Sequence, residues 1–297
     1  MKRKLSYKKH YHATNPWTAW LFLLPQLLFF SVFTIYPVFE GLRISLFETT
    51  YISETFVGLK NYIELFHDDV FLLSVRNTLF LTVIVVPATM LLGMFISIAV
   101  FDKSSHYISV MRGMFYLPVI VSNAVMAMVW NFLLNPASGL ITYLVRQAGG
   151  QSINLLGNRK YVLWVIAFVT IVASVGQNVI MYVAAMIGIP QDLFDSAKVD
   201  GASKVRWSFH IVIPLVKPTT LYLTVINTIN ILKLFVIIQL LTDGGPNNAS
   251  MTMMYYLYRN AFVYDKTNQA AAVGVLMLLL SVLLVIPQFK ALNNPDK

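Results

Sequence analysis

Two apolar stretches of the chain carry hydrogen-bonding side chains at helical spacing. These side chains are Thr170, Ser174, Gln177 and Asn178 in the first stretch, and Thr224, Asn227, Asn230 and Lys233 in the second. Thr170, Ser174 and Gln177 stand at i, i+4 and i+7, on one face of a helix. Polar groups in a membrane-spanning helix are costly and typically mark the path of a polar solute. Hydrogen bonding between packed helices is the alternative role for each hydroxyl and amide. The Lys233 ammonium needs an acceptor, water or access to the membrane surface.

Side-chain patterns for catalysis or metal binding are missing from the sequence. The chain has no cysteine, which excludes disulfides, thiolate metal sites and a cysteine nucleophile. Its five histidines form no HExxH motif, and no GxxxxGK[ST] motif is present to hold ATP. A serine enzyme within the membrane would need a buried base, and no predicted span contains a histidine. We therefore predict no catalytic residue and no metal site.

The composition indicates an all-α polytopic membrane protein. Of 297 residues 57% are hydrophobic and only 12% are charged, whereas soluble domains carry about 25% charged residues. This excludes a soluble enzyme, a secreted scaffold and a disordered chain. Because about 20 apolar residues span a bilayer as a helix, we predict six transmembrane helices, at 17–39, 77–101, 113–134, 161–187, 219–241 and 268–289. The first apolar run is too long for a signal peptide and is expected to stay uncleaved.

The charges orient these six spans. With both termini in the cytoplasm, most of the 22 Lys and Arg residues fall on the cytoplasmic side, as the positive-inside rule expects. The net charge of +9 therefore sets topology and does not indicate nucleic-acid binding. The predicted layout is a basic cytoplasmic tail at 1–16, a first span at 17–39, an extracytoplasmic loop at 40–76, a five-helix core at 77–289 that includes a cytoplasmic loop at 189–218, and a cytoplasmic tail at 290–297.

The loop at 189–218 is long for a cytoplasmic connection. Leu193, Phe194 and Ala197 have helical spacing, Gly201 permits a sharp turn, and a second amphipathic stretch is expected to end at Pro214. Two short helices bent at a glycine would form a compact cytoplasmic projection. An amphipathic helix resting on lipid explains the same pattern equally well.

The loop resembles the EAA loop of ABC importer permeases, with the pattern E-A-A-x3-G-x9-I-x-L-P. The match consists of Asp195-Ser196-Ala197, Gly201 and Ile211 to Pro214 at the same spacing, with Asp195, Ser196 and Ile213 as conservative departures. In that family the loop forms a coupling helix that docks on a cytoplasmic ATPase. The resemblance thus implies an ATPase-coupling set of Asp195, Ser196, Ala197, Asp200, Gly201, Ile211 and Pro214.

Further stretches resemble the sugar-importer permeases of the maltose and glycerol-phosphate type. They are FLLPQLLFFSVFTIYPV (22–38), FVGLKNYIELF (56–66), SVRNTLFLT (74–82), FYLPVIVS (115–122), NPASGLI (135–141) and LTDGGPNN (241–248). The resemblance implies a type I ABC importer permease fold in a bacterial plasma membrane. The implied partners are a homologous second permease subunit, an ABC ATPase dimer, an extracytoplasmic solute-binding protein, a sugar substrate and membrane lipid. It also implies that this chain binds no cofactor, because ATP and Mg are used by the ATPase.

The same resemblance places sugar contacts on the fourth and fifth spans. The implied positions are Thr170, Ser174, Gln177, Asn227, Ile231 and Leu234. Because Ile231 and Leu234 are apolar, we expect Asn230 and Lys233 to replace them, and Asn178 to complete the site. The resulting function is half of the path of an ATP-driven oligosaccharide importer. The alternative is an ion-coupled secondary transporter of a small polar solute; all 13 Asp and Glu residues lie outside the predicted spans, which disfavours proton coupling but leaves sodium coupling open.

Overall fold

The computed structural model describes residues 16–49, 53–101, 105–151 and 154–293. Of the predicted tails at 1–16 and 290–297, residues 1–15 and 294–297 lie outside the described residues, and 290–293 continue the last helix. The first half contains α1 (Pro16–Phe30), a π-helical turn (Ser31–Ile35), α2 (Tyr36–Ser45), β1 (Phe47–Thr49), β2 (Glu54–Phe56), α3 (Lys60–Phe66), α4 (Asp69–Phe101), α5 (Ser105–Ile120), α6 (Asn123–Leu133) and α7 (Leu140–Gln147). The second half contains α8 (Val162–Ile187), α9 (Gln191–Val199), α10 (Lys204–Trp207), a second π-helical turn (Ser208–Val212), α11 (Ile213–Leu215), α12 (Lys217–Leu232), α13 (Val236–Leu241), α14 (Met253–Phe262) and α15 (Thr267–Asn293).

Four of the predicted spans are single helices long and apolar enough to cross a membrane. They are Trp20–Ser45, Asp69–Phe101, Val162–Ile187 and Thr267–Ala291. The first continues beyond its predicted end at 39, because a π-helical turn comes just before Pro37 and the chain stays helical past this proline. A fifth crossing is available if the pair Lys204–Leu215 and Lys217–Leu232, bent by 68°, is one span.

The predicted span at 113–134 is two helices, α5 and α6. Pro118 lies in the last turn of α5, and Ser122 adopts an extended conformation with φ −61° and ψ 149°. The Ser122 hydroxyl accepts a hydrogen bond of 3.3 Å from the backbone N–H of Val125, which caps the start of α6. The chain breaks here because the proline weakens one helix and the serine begins the next.

The predicted span at 219–241 is also two helices, α12 and α13. The break at 233–235 frees the carbonyl of Leu234, and the Thr252 hydroxyl donates a hydrogen bond of 3.0 Å to it. Irregular backbone at membrane depth requires such internal partners or a water-filled cavity. Thr252 itself is fully buried on the segment that leads into α14.

The prediction of an all-α chain is wrong in one place. Strands β1 and β2 pair antiparallel in a short hairpin, with Phe47 opposite Phe56. The Asn61 side chain on α3 donates to the carbonyls of Ser45 and Phe47, which fixes the hairpin between α2 and α3. Strands of three residues give no alternating pattern long enough to predict.

Helices α4 and α8 form the centre of the bundle and run parallel. At one end the rings of Phe80 and Trp164 pack edge to face, and further along the Ser97 hydroxyl donates to the carbonyl of Val179. Helix α12 runs antiparallel to α8, since Tyr182 contacts Thr220 whereas Asn178 contacts Asn227. This packing places the polar face of α8 against the polar face of α12.

Candidate substrate cavity and coupling loop

A cavity of about 490 Å³ lies between α8, α12 and the breaks in the two interrupted spans. All seven residues predicted from sequence to bind substrate line it: Thr170, Ser174, Gln177, Asn178, Asn227, Asn230 and Lys233. Thr170, Ser174 and Gln177, which the helical spacing predicts to share one face of α8, thus face the same cavity. Thr224, the remaining polar residue of that stretch of α12, does not line the cavity and bonds to the carbonyl of Thr220 in its own helix.

One hydrogen bond links the two polar helices across the cavity wall. The Asn227 amide donates to Oδ1 of Asn178 at 3.0 Å and to the carbonyl of Leu223 at 2.8 Å. Asn178 is fully buried, and its own Nδ2 has no acceptor among the described residues. An unpaired buried amide N–H is costly, and this atom has almost no surface open to the cavity.

The other predicted residues differ in what they contact. The Thr170 hydroxyl donates to the carbonyl of Ile166 at 2.7 Å and is therefore already paired within α8. Gln177 and Asn230 are exposed on the cavity surface, and their side chains bond to none of the described residues. Gln177 and Asn230 are consequently the amides most available to a ligand, while Thr170, Asn178 and Asn227 are buried in the wall.

Lys233 caps the C-terminal end of α12 and is exposed where the chain breaks. A cation is favourable there because the helix dipole is negative at this end. Among the described residues that line the cavity, Tyr222 is the only other one that could carry charge, and none is Asp or Glu. The cavity thus has a single positive charge at one end and amides along its walls.

Sequence reasoning missed two polar residues of the cavity, Asn123 and Tyr222. Asn123 is the first residue of α6, directly after the break that was predicted as continuous helix. The combination of Pro118 and a capping serine at 122 was the signal for this break. Ile231 and Leu234, the apolar residues at positions where the family resemblance implied sugar contacts, also line the cavity.

The 189–218 loop begins two residues after α8 and contains the short helix α9. The backbone N–H of Gly201 donates to the carbonyl of Lys198, and that of Ala202 donates to the carbonyl of Ala197. These two bonds form a Schellman motif, in which the residue after the helix must adopt a left-handed conformation. Gly201 has φ +71°, and an added Cβ would meet no heavy atom within 4 Å. Glycine is therefore favoured at this position by the backbone conformation and not by lack of space.

A cluster of three aromatic rings holds the 189–218 loop against the end of α4. Phe194 of α9 lies 5.2 Å from the ring of Trp207 and 5.4 Å from that of Phe101, measured between centroids. Phe194 and Trp207 are both buried. Packing onto the bundle therefore covers Phe194 and Trp207, as in a compact projection, while Val205 and Phe209 of the second stretch stay exposed.

The predicted end of the second loop helix at Pro214 is wrong. The chain stays helical from Lys204 to Leu215, with a π-helical turn at Ser208–Val212 directly before the proline-containing turn. Proline lacks an N–H and clashes with the carbonyl four residues earlier, and the wider π-helical turn accommodates it. The helix breaks at Val216 instead, before α12 begins.

The residues of the predicted coupling set divide by exposure. Asp195, Ser196, Asp200, Gly201 and Pro214 are exposed, whereas Ala197 and Ile211 pack against the buried core. The outer face of α9 also presents an apolar residue to solvent, Val199, which is 89% exposed. The loop thus combines an anchored inner side with a free outer side.

Comparison with known proteins identifies the family. A family model described as "Binding-protein-dependent transport system inner membrane component" matches residues 86–293, which include the cavity and the 189–218 loop. The chain belongs to this family. As an inner membrane component of a binding-protein-dependent transport system, it is a transport subunit and not an enzyme. This membership decides against the ion-coupled alternative.

Individual relatives cover almost the whole chain. The chain is 33% identical to "Probable ABC transporter permease protein YurN" of Bacillus subtilis (strain 168), over 93% of this chain and 96% of that protein. It is 32% identical to the sn-glycerol-3-phosphate transport system permease protein UgpA of Yersinia enterocolitica, over 92% and 93% of the two chains. A chain of a bacterial ABC transporter that imports the acidic polysaccharide alginate has the same fold, with a TM-score of 0.84, 22% identity and coverage of 95% and 96%.

Proposed function

We propose that this chain is one of two permease subunits that enclose the path of an ATP-driven, binding-protein-dependent sugar importer, with an oligosaccharide as the substrate. The observation that carries the proposal is the α8–α12 cavity, because all seven residues predicted from the sequence to bind substrate line one space within the membrane-spanning bundle. Relatives whose names specify a cargo carry glycerol phosphate or a polysaccharide, which supports a hydroxyl-rich substrate.

Within this proposal the cavity residues have distinct roles. Gln177, Asn230 and Lys233 are exposed on its surface and would bond directly to substrate hydroxyls or other oxygens. Asn178 and Asn227 would shape the wall behind the substrate, with Asn227 holding Asn178 in place. Ser174 and Thr170 complete the polar strip of α8. An amide both donates and accepts a hydrogen bond, as does a sugar hydroxyl, so the pair is complementary.

The 189–218 loop would transmit the work of a separate ATPase. In this role the exposed Asp195, Ser196, Asp200 and Val199 contact the ATPase, and Gly201 sets the angle at which α9 projects. The ring cluster of Phe194, Trp207 and Phe101 passes a movement of α9 to α4. Ala197 and Ile211 support the loop from its inner side, and the exposed Pro214 lies near the end of the loop. ATP and Mg would be bound by the ATPase dimer, and this chain would bind no cofactor.

The proposed assembly also implies a membrane topology and a set of partners. Six crossings, two of them interrupted at 121–122 and 233–235, would place both termini in the cytoplasm, with the tails at 1–16 and 290–297 and the 189–218 loop on that side. The 40–76 segment, which includes the hairpin, would face the solute-binding protein. The helix from Trp20 to Ser45 has an apolar surface that the described residues leave largely uncovered, and it would lie against lipid or the homologous second permease.

Affinity purification from native membranes in mild detergent, followed by mass spectrometry, tests the assembly. We expect one homologous permease, an ABC ATPase and, after cross-linking, a solute-binding protein. Small-molecule mass spectrometry of that binding protein would then identify the sugar. Recovery of the chain alone or as a self-dimer, with no ATPase after cross-linking, would overturn the proposal.

A further inference from the structure

Three cations line one small pocket at the end of the bundle opposite the 189–218 loop. This pocket of about 210 Å³ lies between the first turns of α8 and the early part of α4, and its cations are Arg76, Arg159 and Lys160. We call it the basic pocket. Such a cluster is unusual at this end of the protein, because on the proposed topology it faces away from the cytoplasm, where basic residues are depleted.

These three cations lack the carboxylates that neutralise other cations at the same end. Arg43 pairs with Glu40 at 2.7 Å and with Glu54 at 2.9 Å, and Lys60 pairs with Glu48 at 2.8 Å. In the part of the chain that the structure describes, no ion pair or hydrogen bond involves the side chains of Arg76, Arg159 or Lys160, and no Asp or Glu lines the pocket.

Like charges held together raise the energy of the empty pocket, since each cation repels the other two. An anion would remove this repulsion. Two guanidinium groups suit a phosphate in particular, because each presents paired donors that match phosphate oxygens. The Lys160 ammonium, which lies 5.7 Å from the centroid of the Tyr161 ring, would add a third positive charge.

The walls of the basic pocket are fixed and amphiphilic. The rings of Phe80 and Trp164 meet edge to face at 5.1 Å and form its apolar side. The Asn77 amide donates to the carbonyls of Ala249 and Met251 at 3.0 and 2.9 Å, which ties this part of α4 to the loop before α14. Trp164 is 54% exposed at the start of a membrane span, where tryptophan typically lies at the level of lipid headgroups.

We propose that the basic pocket binds the headgroup phosphate of an anionic phospholipid. The charged rim would hold the phosphate, and the first part of an acyl chain would lie along Trp164 and Phe80. A soluble protein partner would reach the rim but would leave this apolar wall uncovered, so the combination of charge and exposed aromatic surface favours a lipid.

Native mass spectrometry of the purified, delipidated protein tests this site directly. The complex, or the chain alone if no partner is recovered, is titrated with phosphatidylglycerol and, separately, with phosphatidylcholine of the same acyl chains. The test variant is Arg76→Gln/Arg159→Gln/Lys160→Gln. The matched control is Arg146→Gln/Arg259→Gln/Lys266→Gln, which removes two arginines and one lysine from the same end outside the pocket. Neither a sugar nor ATP is required, so the result stands apart from that of the proposed function.

We expect wild type and control to bind one phosphatidylglycerol in preference to phosphatidylcholine. Each basic residue near an anionic lipid surface strengthens binding by about fivefold, so the test variant should lose at least about a tenfold preference. A double variant, Arg76→Lys/Arg159→Lys, should keep much of it, which separates loss of charge from misfolding. Equal binding of the two lipids to wild type, or equal loss in test and control variants, would overturn the proposal.

Two further arms distinguish other anions. If millimolar inorganic phosphate displaces the lipid, the pocket recognises free phosphate and the lipid assignment is wrong. If the test variant binds lipid normally but loses affinity for the solute-binding protein, the pocket is a protein contact, and the proposal is again overturned.

Discussion

The side-chain amide of Asn227 donates a hydrogen bond to Oδ1 of Asn178, and this bond joins α12 to α8 in the wall of the cavity. Both residues are buried, whereas Gln177, the neighbour of Asn178, is exposed on the cavity surface. Three amides close in space therefore serve two purposes. The Asn178–Asn227 pair holds two helices together, and Gln177 is available to a substrate.

Gln177→Ala should weaken sugar transport without lowering the stability of the protein. The Gln177 side chain bonds to none of the described residues, and substitutions at such exposed positions usually change stability by less than about 0.5 kcal/mol. We expect a higher KM for the sugar that the co-purified binding protein carries, with an unchanged thermal-unfolding midpoint. Transport by reconstituted vesicles and a thermal-unfolding assay check the two parts.

Asn227→Ala is the contrasting variant. It would leave both polar atoms of the buried Asn178 side chain unpaired, at a cost of about 1–3 kcal/mol. We therefore expect a lower unfolding midpoint and lower abundance in the membrane. If Gln177→Ala lowers abundance as much as Asn227→Ala does, then Gln177 is a packing residue and the assignment of roles is wrong.

The cavity residues could be predicted because amides, hydroxyls and an ammonium stand out in an apolar helix, where each has an energetic cost. The two helix breaks that shape the cavity differ in this respect. The break at 121–122 has a local signal, Pro118 followed by the serine that caps Val125. The break after Lys233 depends on Thr252, which is distant in sequence and bonds to the carbonyl of Leu234, and such a long-range partner leaves no periodic signal in the chain.

Replacing Gly201 should impair coupling in proportion to the strain that the new residue adds. A non-glycine residue in the left-handed region costs about 1–2 kcal/mol, and a β-branched residue is the least suited to it. An added Cβ would meet no heavy atom within 4 Å, so crowding does not contribute. We expect Gly201→Val to reduce transport per ATP hydrolysed, measured in vesicles with the complete complex.

Gly201→Asn provides the control, because asparagine tolerates the left-handed conformation better than other residues. It should keep most of the coupled transport. Equal activity of both variants would show that the Schellman turn does not set the position of α9.

The turn itself was predictable from the glycine and the preceding helical spacing. The role of Pro214 was not, since the π-helical turn that accommodates it has no recognised sequence pattern here.

Phe194→Ala should detach α9 from the end of α4. The variant removes the ring that lies against both Trp207 and Phe101, and a buried Phe→Ala change typically costs about 3–5 kcal/mol. We expect faster hydrogen exchange across the 189–218 loop and loss of transport, while sugar-loaded binding protein still associates with the complex.

Phe209→Ala makes the same change at a ring that is 63% exposed and should leave exchange in the loop unchanged. Slow exchange in both variants would show that the ring cluster does not anchor the loop.

Gly176→Ala should damage the packing of α5 on α8, next to the cavity. A Cβ at Gly176 would come within 1.9 Å of the carbonyl oxygen of Phe115, a backbone atom that cannot turn away, so α5 would have to move. Overpacking of this kind typically costs about 1–3 kcal/mol, and we expect a lower unfolding midpoint and reduced abundance. Gly274→Ala is the matched change in α15, where the nearest atom, Cδ1 of Leu257, would lie at an ordinary 3.6 Å. Because alanine favours a helix over glycine by about 1 kcal/mol, this control should be neutral or slightly stabilised. Similar midpoints for the two variants would mean that α5 yields without cost and that its contact with α8 does not shape the cavity.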